Sequence, residues 1–126
     1  MGSERRATPK AAADRLRKRF AAQEREATLR RARGQEFARV LARRLGDAHE
    51  GVEQIIGFDS TFETWRNYRL DSDIDLAFIG GDWFALVRLA EEFESEFEIS
   101  LIDLNDQNEA FRDQVLKVGE VLYEKR

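Results

Sequence analysis

The chain has 126 residues, with 21 Lys and Arg against 25 Asp and Glu, one His, one Pro, eight Gly and no Cys. That length holds one modest domain with an appendage. The missing Cys excludes disulfides, thiolate zinc sites and a cysteine nucleophile, and the single His49 excludes multi-histidine metal centres. No apolar run approaches the roughly 18 residues of a membrane span, and no signal-peptide core follows the N-terminus, so a cytoplasmic, soluble protein with no membrane partner is expected.

The formal net charge of −4 hides a division. Residues 1–45 carry fourteen Lys and Arg against five Asp and Glu, and residues 46–126 carry seven against twenty. The two segments attract one another, within a chain or between chains. In the basic part, Thr8 is a helix cap, Pro9 suits the first helical position, and no Gly or Pro follows from Lys10 to Arg33. Its apolar anchors are sparse: Leu16 and Phe20 four apart, then Ala27 and Leu29. Gly34 is read as an interruption. Beyond it Phe37, Val40, Leu41 and Leu45 form an amphipathic face ending at Gly46. The division expected is a basic helical arm over residues 1–34 and a packed domain over 35–126.

The acidic part alternates element types. Residues 52–58 predict a short strand, 59–72 a polar and aromatic loop, and 74–79 a strand with acids built into one face. Gly80 and Gly81 end that strand, and Asp82 caps a helix running from Trp83 to about Glu96 with Trp83, Leu86, Val87, Ala90 and Phe93 inward. A strand over 98–104 follows. Asn105 or Asp106 then caps a last helix with Phe111, Val115 and Val118 inward, Gly119 stops it, and Val121 to Tyr123 add an edge strand. The fold class expected is α+β, a small mixed sheet with helices on one side.

The sharpest local feature is Asp71-Ser72-Asp73-Ile74-Asp75-Leu76. Alternation puts Asp73 and Asp75 on one face of a strand, about 6.5–7 Å apart along the backbone. Two like charges so placed repel, and a hard divalent cation relieves them. Mg²⁺ is commonly held by one or two carboxylates together with substrate phosphates, the arrangement of phosphoryl and nucleotidyl transfer. The plain alternative is an acidic turn before an exposed strand.

A strand ending Ile55-Ile56-Gly57-Phe58, then Asp59-Ser60, a loop and Ser72-Asp73-Ile74-Asp75-Leu76 resembles the minimal nucleotidyltransferases of the DNA polymerase β superfamily. In that family a Gly-Ser pair after the first strand precedes a Ser-Asp-x-Asp-Leu strand carrying two metal-binding acids, and a later strand carries a third. Here Ile99-Ser100-Leu101-Ile102-Asp103-Leu104 stands in that later place. The resemblance covers about residues 35–126. It implies a nucleotidyltransferase that takes ATP with Mg²⁺, with Asp73 and Asp75 as catalytic metal ligands and Ser60, Ser72, Arg66 and Arg69 near phosphate. It also implies a partner: members serve as antitoxins to HEPN-type toxins, some by transferring AMP to them.

Two positions depart from the family pattern. Asp59 stands where the glycine of the Gly-Ser pair allows a tight turn beside the phosphates. Ser100 stands at the third acid, and Asp103, three residues on, faces the opposite way by strand parity. The departures predict slow or absent transfer. The alternatives are a non-catalytic interaction or oligomerisation module on the inherited fold, and an accessory protein binding nucleic acid through its basic arm. For the arm, docking on an acidic surface, of a toxin or of a second copy in a homo-oligomer, is favoured over nucleic acid.

Overall fold

The computed structural model describes residues 8–126; the first seven residues of the expected arm lie outside them. The longest element is α1 (Pro9–Ala48), capped by the Thr8 side chain, which accepts from the Ala11 N–H at 3.0 Å. The strands are β1 (Gln54–Phe58), β2 (Ile74–Ile79), β3 (Ile99–Asp103) and β4 (Glu120–Glu124), with helices α2 (Trp83–Glu91) and α3 (Glu109–Val118) between them. The sheet order is β3-β2-β1-β4. β1 pairs antiparallel with β2 and with β4, and β2 pairs parallel with β3. This is the mixed sheet the sequence predicts.

Alternation along β1 and β2 divides the core between the two faces of the sheet. Ile55, Ile74, Leu76 and Phe78 pack with Ala38, Leu41, Ala42 and Leu45 of α1 and with Leu86 and Ala90 of α2. Ile56, Phe58 and Ala77 face the other way and pack with Leu104 and with Phe111 and Val115 of α3. The helices therefore do not all lie on one side. Strand parity hides this in the sequence, because α3 is amphipathic whichever face it covers.

Four local expectations are corrected. Gly34 does not interrupt the helix; it is buried inside α1, where a Cβ would sit 3.3 Å from the Phe97 ring and 3.5 Å from Thr61 Cγ2. It is a point of close approach, not a break. α2 stops at Glu91, short of Glu96. Beyond it Glu92, Glu94 and Glu96 crowd like charges, and a Ser95 turn accepting from the Phe97 N–H drops Phe97 into the core. Trp83, expected inward, is partly exposed and donates its indole N–H to the Leu101 carbonyl on β3 at 2.8 Å. The last helix is capped by Asn108, which accepts from the Phe111 N–H at 2.8 Å. Asp103 instead caps a single 3₁₀ turn over Leu104–Asp106.

Candidate active site

β1 ends in a sharp turn. Asp59 has φ of +63°, the left-handed region that favours glycine. Asp is among the few residues that visit it as single positions, so the turn geometry of a glycine is kept with a carboxylate added. The Asp59–Thr61 segment forms one 3₁₀ turn, and the Phe62 and Glu63 N–H groups donate to the Asp59 carbonyl at 3.0 and 2.7 Å. Ser60 is half-buried at its centre.

This turn is tied to the acidic strand. Thr61 is fully buried and donates its hydroxyl to the Asp73 carbonyl at 3.1 Å, while Gln35 of α1 donates to the Thr61 carbonyl at 2.8 Å. Gly57 makes room for the Phe62 ring, since a Cβ there would run into it. The two halves of the site are therefore held on one rigid corner of the sheet.

In the β1–β2 register Asp75 stands opposite Phe58, and in the β2–β3 register it stands opposite Ser100. Paired residues present their side chains to the same face. Asp75 and Ser100 thus share the α3 face, at the end of the core made by Phe58 and Ala77. Asp103 pairs with Phe78, so it is on the other face, as parity predicts. Asp73 is exposed and Asp75 half-buried.

Burial pushes the Asp75 carboxyl up to about 6, reinforced by the charges of Asp59, Asp73 and Glu63. Glu63 is the residue that sequence reasoning missed. It is 3% exposed, its carboxylate accepts from the Asp59 N–H, and Arg66 Nε pairs with it at 2.9 Å. The same Arg66 nitrogen lies 3.8 Å from Asp59 Oδ1. A lone Glu between Phe62 and Thr64 in a polar loop carries no periodicity, so only its position four residues after Asp59 pointed to it. Of the expected phosphate contacts, Arg66 is thus engaged by acids, Arg69 is exposed, and Ser72 Oγ accepts from the Arg69 N–H at 2.9 Å.

The loop is fastened to α1 as well. The Arg31 guanidinium lies 5.1 Å from the Tyr68 ring centroid and donates to the Arg66 carbonyl, whereas Trp65 is 67% exposed. The loop aromatics therefore divide: Phe62 packs on the sheet, Tyr68 meets the helix, and Trp65 projects into solvent.

No group of three or more His, Asp or Glu side chains is arranged to hold a metal ion among the described residues. Two carboxylates suffice for Mg²⁺ when phosphate oxygens and water complete its shell. The donor set fits that ion: both acids are hard oxygen ligands, and the Asp75 carboxyl, raised first by burial and then by the neighbouring acids, gains from a divalent cation that offsets their charge.

The family model "Polymerase beta, Nucleotidyltransferase" matches residues 48–126. No curated protein sequence matches the chain. Among solved structures, a toxin–antitoxin complex crystallised with AMP-PNP is similar at a TM-score of 0.55 and 22% identity, covering 70% of this chain and 74% of that one. A candidate nucleotidyltransferase from Sulfolobus solfataricus is similar at a TM-score of 0.53 and 17% identity, covering 79% and 87%. A mutant of the toxin–antitoxin MntA–HpeT follows at 0.51 and 22%, covering 66% and 70%. At such identities the likeness is one of fold. The family model spans more than half of the chain and takes in both the Asp59–Ser60 turn and the Asp73/Asp75 strand, and the protein belongs to the polymerase β nucleotidyltransferase family.

Proposed function

We propose that the chain is a minimal nucleotidyltransferase of antitoxin type, which binds ATP with Mg²⁺ at Asp73 and Asp75 and whose partner is a HEPN-type toxin. The fold likeness to a toxin–antitoxin complex holding AMP-PNP supports both the nucleotide and the partner class. Mg²⁺, when bound, supplies charge neutralisation between the two carboxylates and the phosphates. Ser60 donates to a phosphate oxygen from the left-handed turn. Ser72 keeps its O–H free to donate while its oxygen accepts from Arg69, and exposed Arg69 meets the anionic end of the nucleotide. Arg66 offsets Glu63 and Asp59, which would otherwise repel a triphosphate.

The observation that carries the catalytic reading is the register that sets a neutral Ser100 beside Asp75. AMP transfer forms a bond from an acceptor oxygen to the α-phosphorus, breaks the bond to pyrophosphate, and requires the acceptor proton to leave. A carboxylate takes that proton at neutral pH and a serine hydroxyl does not, a difference worth about 10²–10⁴ in rate. Transfer is therefore slow or absent, and neutralisation of the toxin proceeds largely by binding.

The test is transfer of labelled AMP to a purified HEPN toxin by wild type, Ser100→Asp, and Ser100→Asp/Asp59→Gly. Transfer rises at least about tenfold in the variants if the missing general base limits the rate. Unchanged transfer in a folded double variant contradicts the assignment of Ser100.

A further inference from the structure

All the buried residues of α1 lie from Gly34 onward, in its second part. The helix continues unbroken back to Pro9, so at 1.5 Å per residue Leu16 lies about 27 Å beyond Gly34. A continuous helix cannot fold back on its own body. On this projecting arm Leu16 is 47% and Phe20 56% exposed, one turn apart on one stripe with Ala13. Nine Lys and Arg against three Asp and Glu surround them between residues 9 and 33.

The body carries the complement. Val87, Ala90, Phe93, Phe97, Ile99 and Leu101 line a groove of about 200 Å³ between α2 and the edge strand β3. Glu91 also lines it, and the exposed Glu92 and Glu94 flank its Phe93 in the chain, as a glutamate rim. The pairing chemistry is already in use next door. At the base of the arm Arg30 and Arg33 reach Glu96 Oε1 at 3.5 and 2.9 Å, and the Arg30 guanidinium covers the Phe97 ring at 4.5 Å.

We propose that the groove receives the arm of a second copy of this chain, with Leu16 and Phe20 seated on the apolar floor and Arg15 and Arg19 paired with the glutamate rim. Each copy carries both parts, so a reciprocal exchange closes a two-fold dimer and leaves neither arm exposed. The charge complementarity argues for this occupant: the two faces belong to one molecule, and the reach of a straight helix forbids their meeting within it. The dimer does not depend on nucleotide binding.

Sedimentation equilibrium of the full chain tests it. Wild type should sediment at twice the monomer mass of 14.6 kDa. Leu16→Asp/Phe20→Asp should raise the dissociation constant at least about 100-fold, with helix content unchanged because both side chains are exposed. Glu91→Lys/Glu92→Lys/Glu94→Lys should also give monomer. Adding Arg15→Glu/Arg19→Glu to that triple variant should restore the dimer, which a folding defect would not permit. A monomeric wild type overturns the proposal, including one whose arm binds only a toxin protein or single-stranded RNA. A dimer indifferent to both sets of substitutions overturns it equally.

Discussion

Replacing Asp75 by Asn should make the protein more stable at neutral pH. The carboxyl is raised from 3.8 to about 6 in the folded state by burial and by Asp59, Asp73 and Glu63. The folded chain therefore holds this proton more tightly than the unfolded one. Its stabilising effect is complete below pH 3.8 and is lost as pH rises through about 6. Above that range the ionised group costs about 3 kcal/mol at full weight, or about 1–2 kcal/mol once its half-exposure is discounted. For a chain of 126 residues that corresponds to a melting temperature about 4–8 °C higher for Asp75→Asn at pH 7.5. The advantage should shrink towards zero as pH approaches 4. Thermal melts of both proteins across this range, without divalent cations, provide the assay. An Asp75→Asn melting point at or below wild type at pH 7.5, or an advantage unchanged at pH 4, refutes the reasoning.

Glu63→Ala removes the acceptor of the Asp59 N–H and the buried partner of Arg66, and should cost about 2–3 kcal/mol in urea unfolding. Asp59→Val places a β-branched residue at φ +63° and should cost about 1–3 kcal/mol, whereas Asp59→Gly should change stability by less than about 1 kcal/mol. Gly57→Ala drives a methyl into the Phe62 ring and should cost about 1–3 kcal/mol. The double variant Gly57→Ala/Phe62→Ala, by vacating that space, should show the two losses to be less than additive.

Much of the site was legible because a strand has a period of two. Ile74-Asp75-Leu76 announces a buried face and an acidic one, and the same parity separates Ser100 from Asp103, as the β2–β3 register bears out. The caps at Thr8 and Asp82 followed from side-chain chemistry that reaches only three and two residues along the chain. What was not legible depends on contacts distant in sequence. Gly34 reads as a helix breaker until Phe97 and Thr61 are seen packed against it. Glu63 reads as a loop acid until its carboxylate is found buried under Arg66 and the Asp59 turn. The face chosen by α3 rests on Ile56, Phe58 and Ala77, residues that alternation marks as buried without saying which helix covers them.

The central claim is that the Asp73/Asp75 strand, beside the left-handed Asp59–Ser60 turn, is a nucleotide site. Calorimetric titration of ATP with Mg²⁺ into wild type and into Asp73→Asn/Asp75→Asn tests it most directly. The account requires saturable heat in wild type that depends on Mg²⁺ and disappears in the variant, with the variant still folded. No binding in wild type, or equal binding in both proteins, would contradict it.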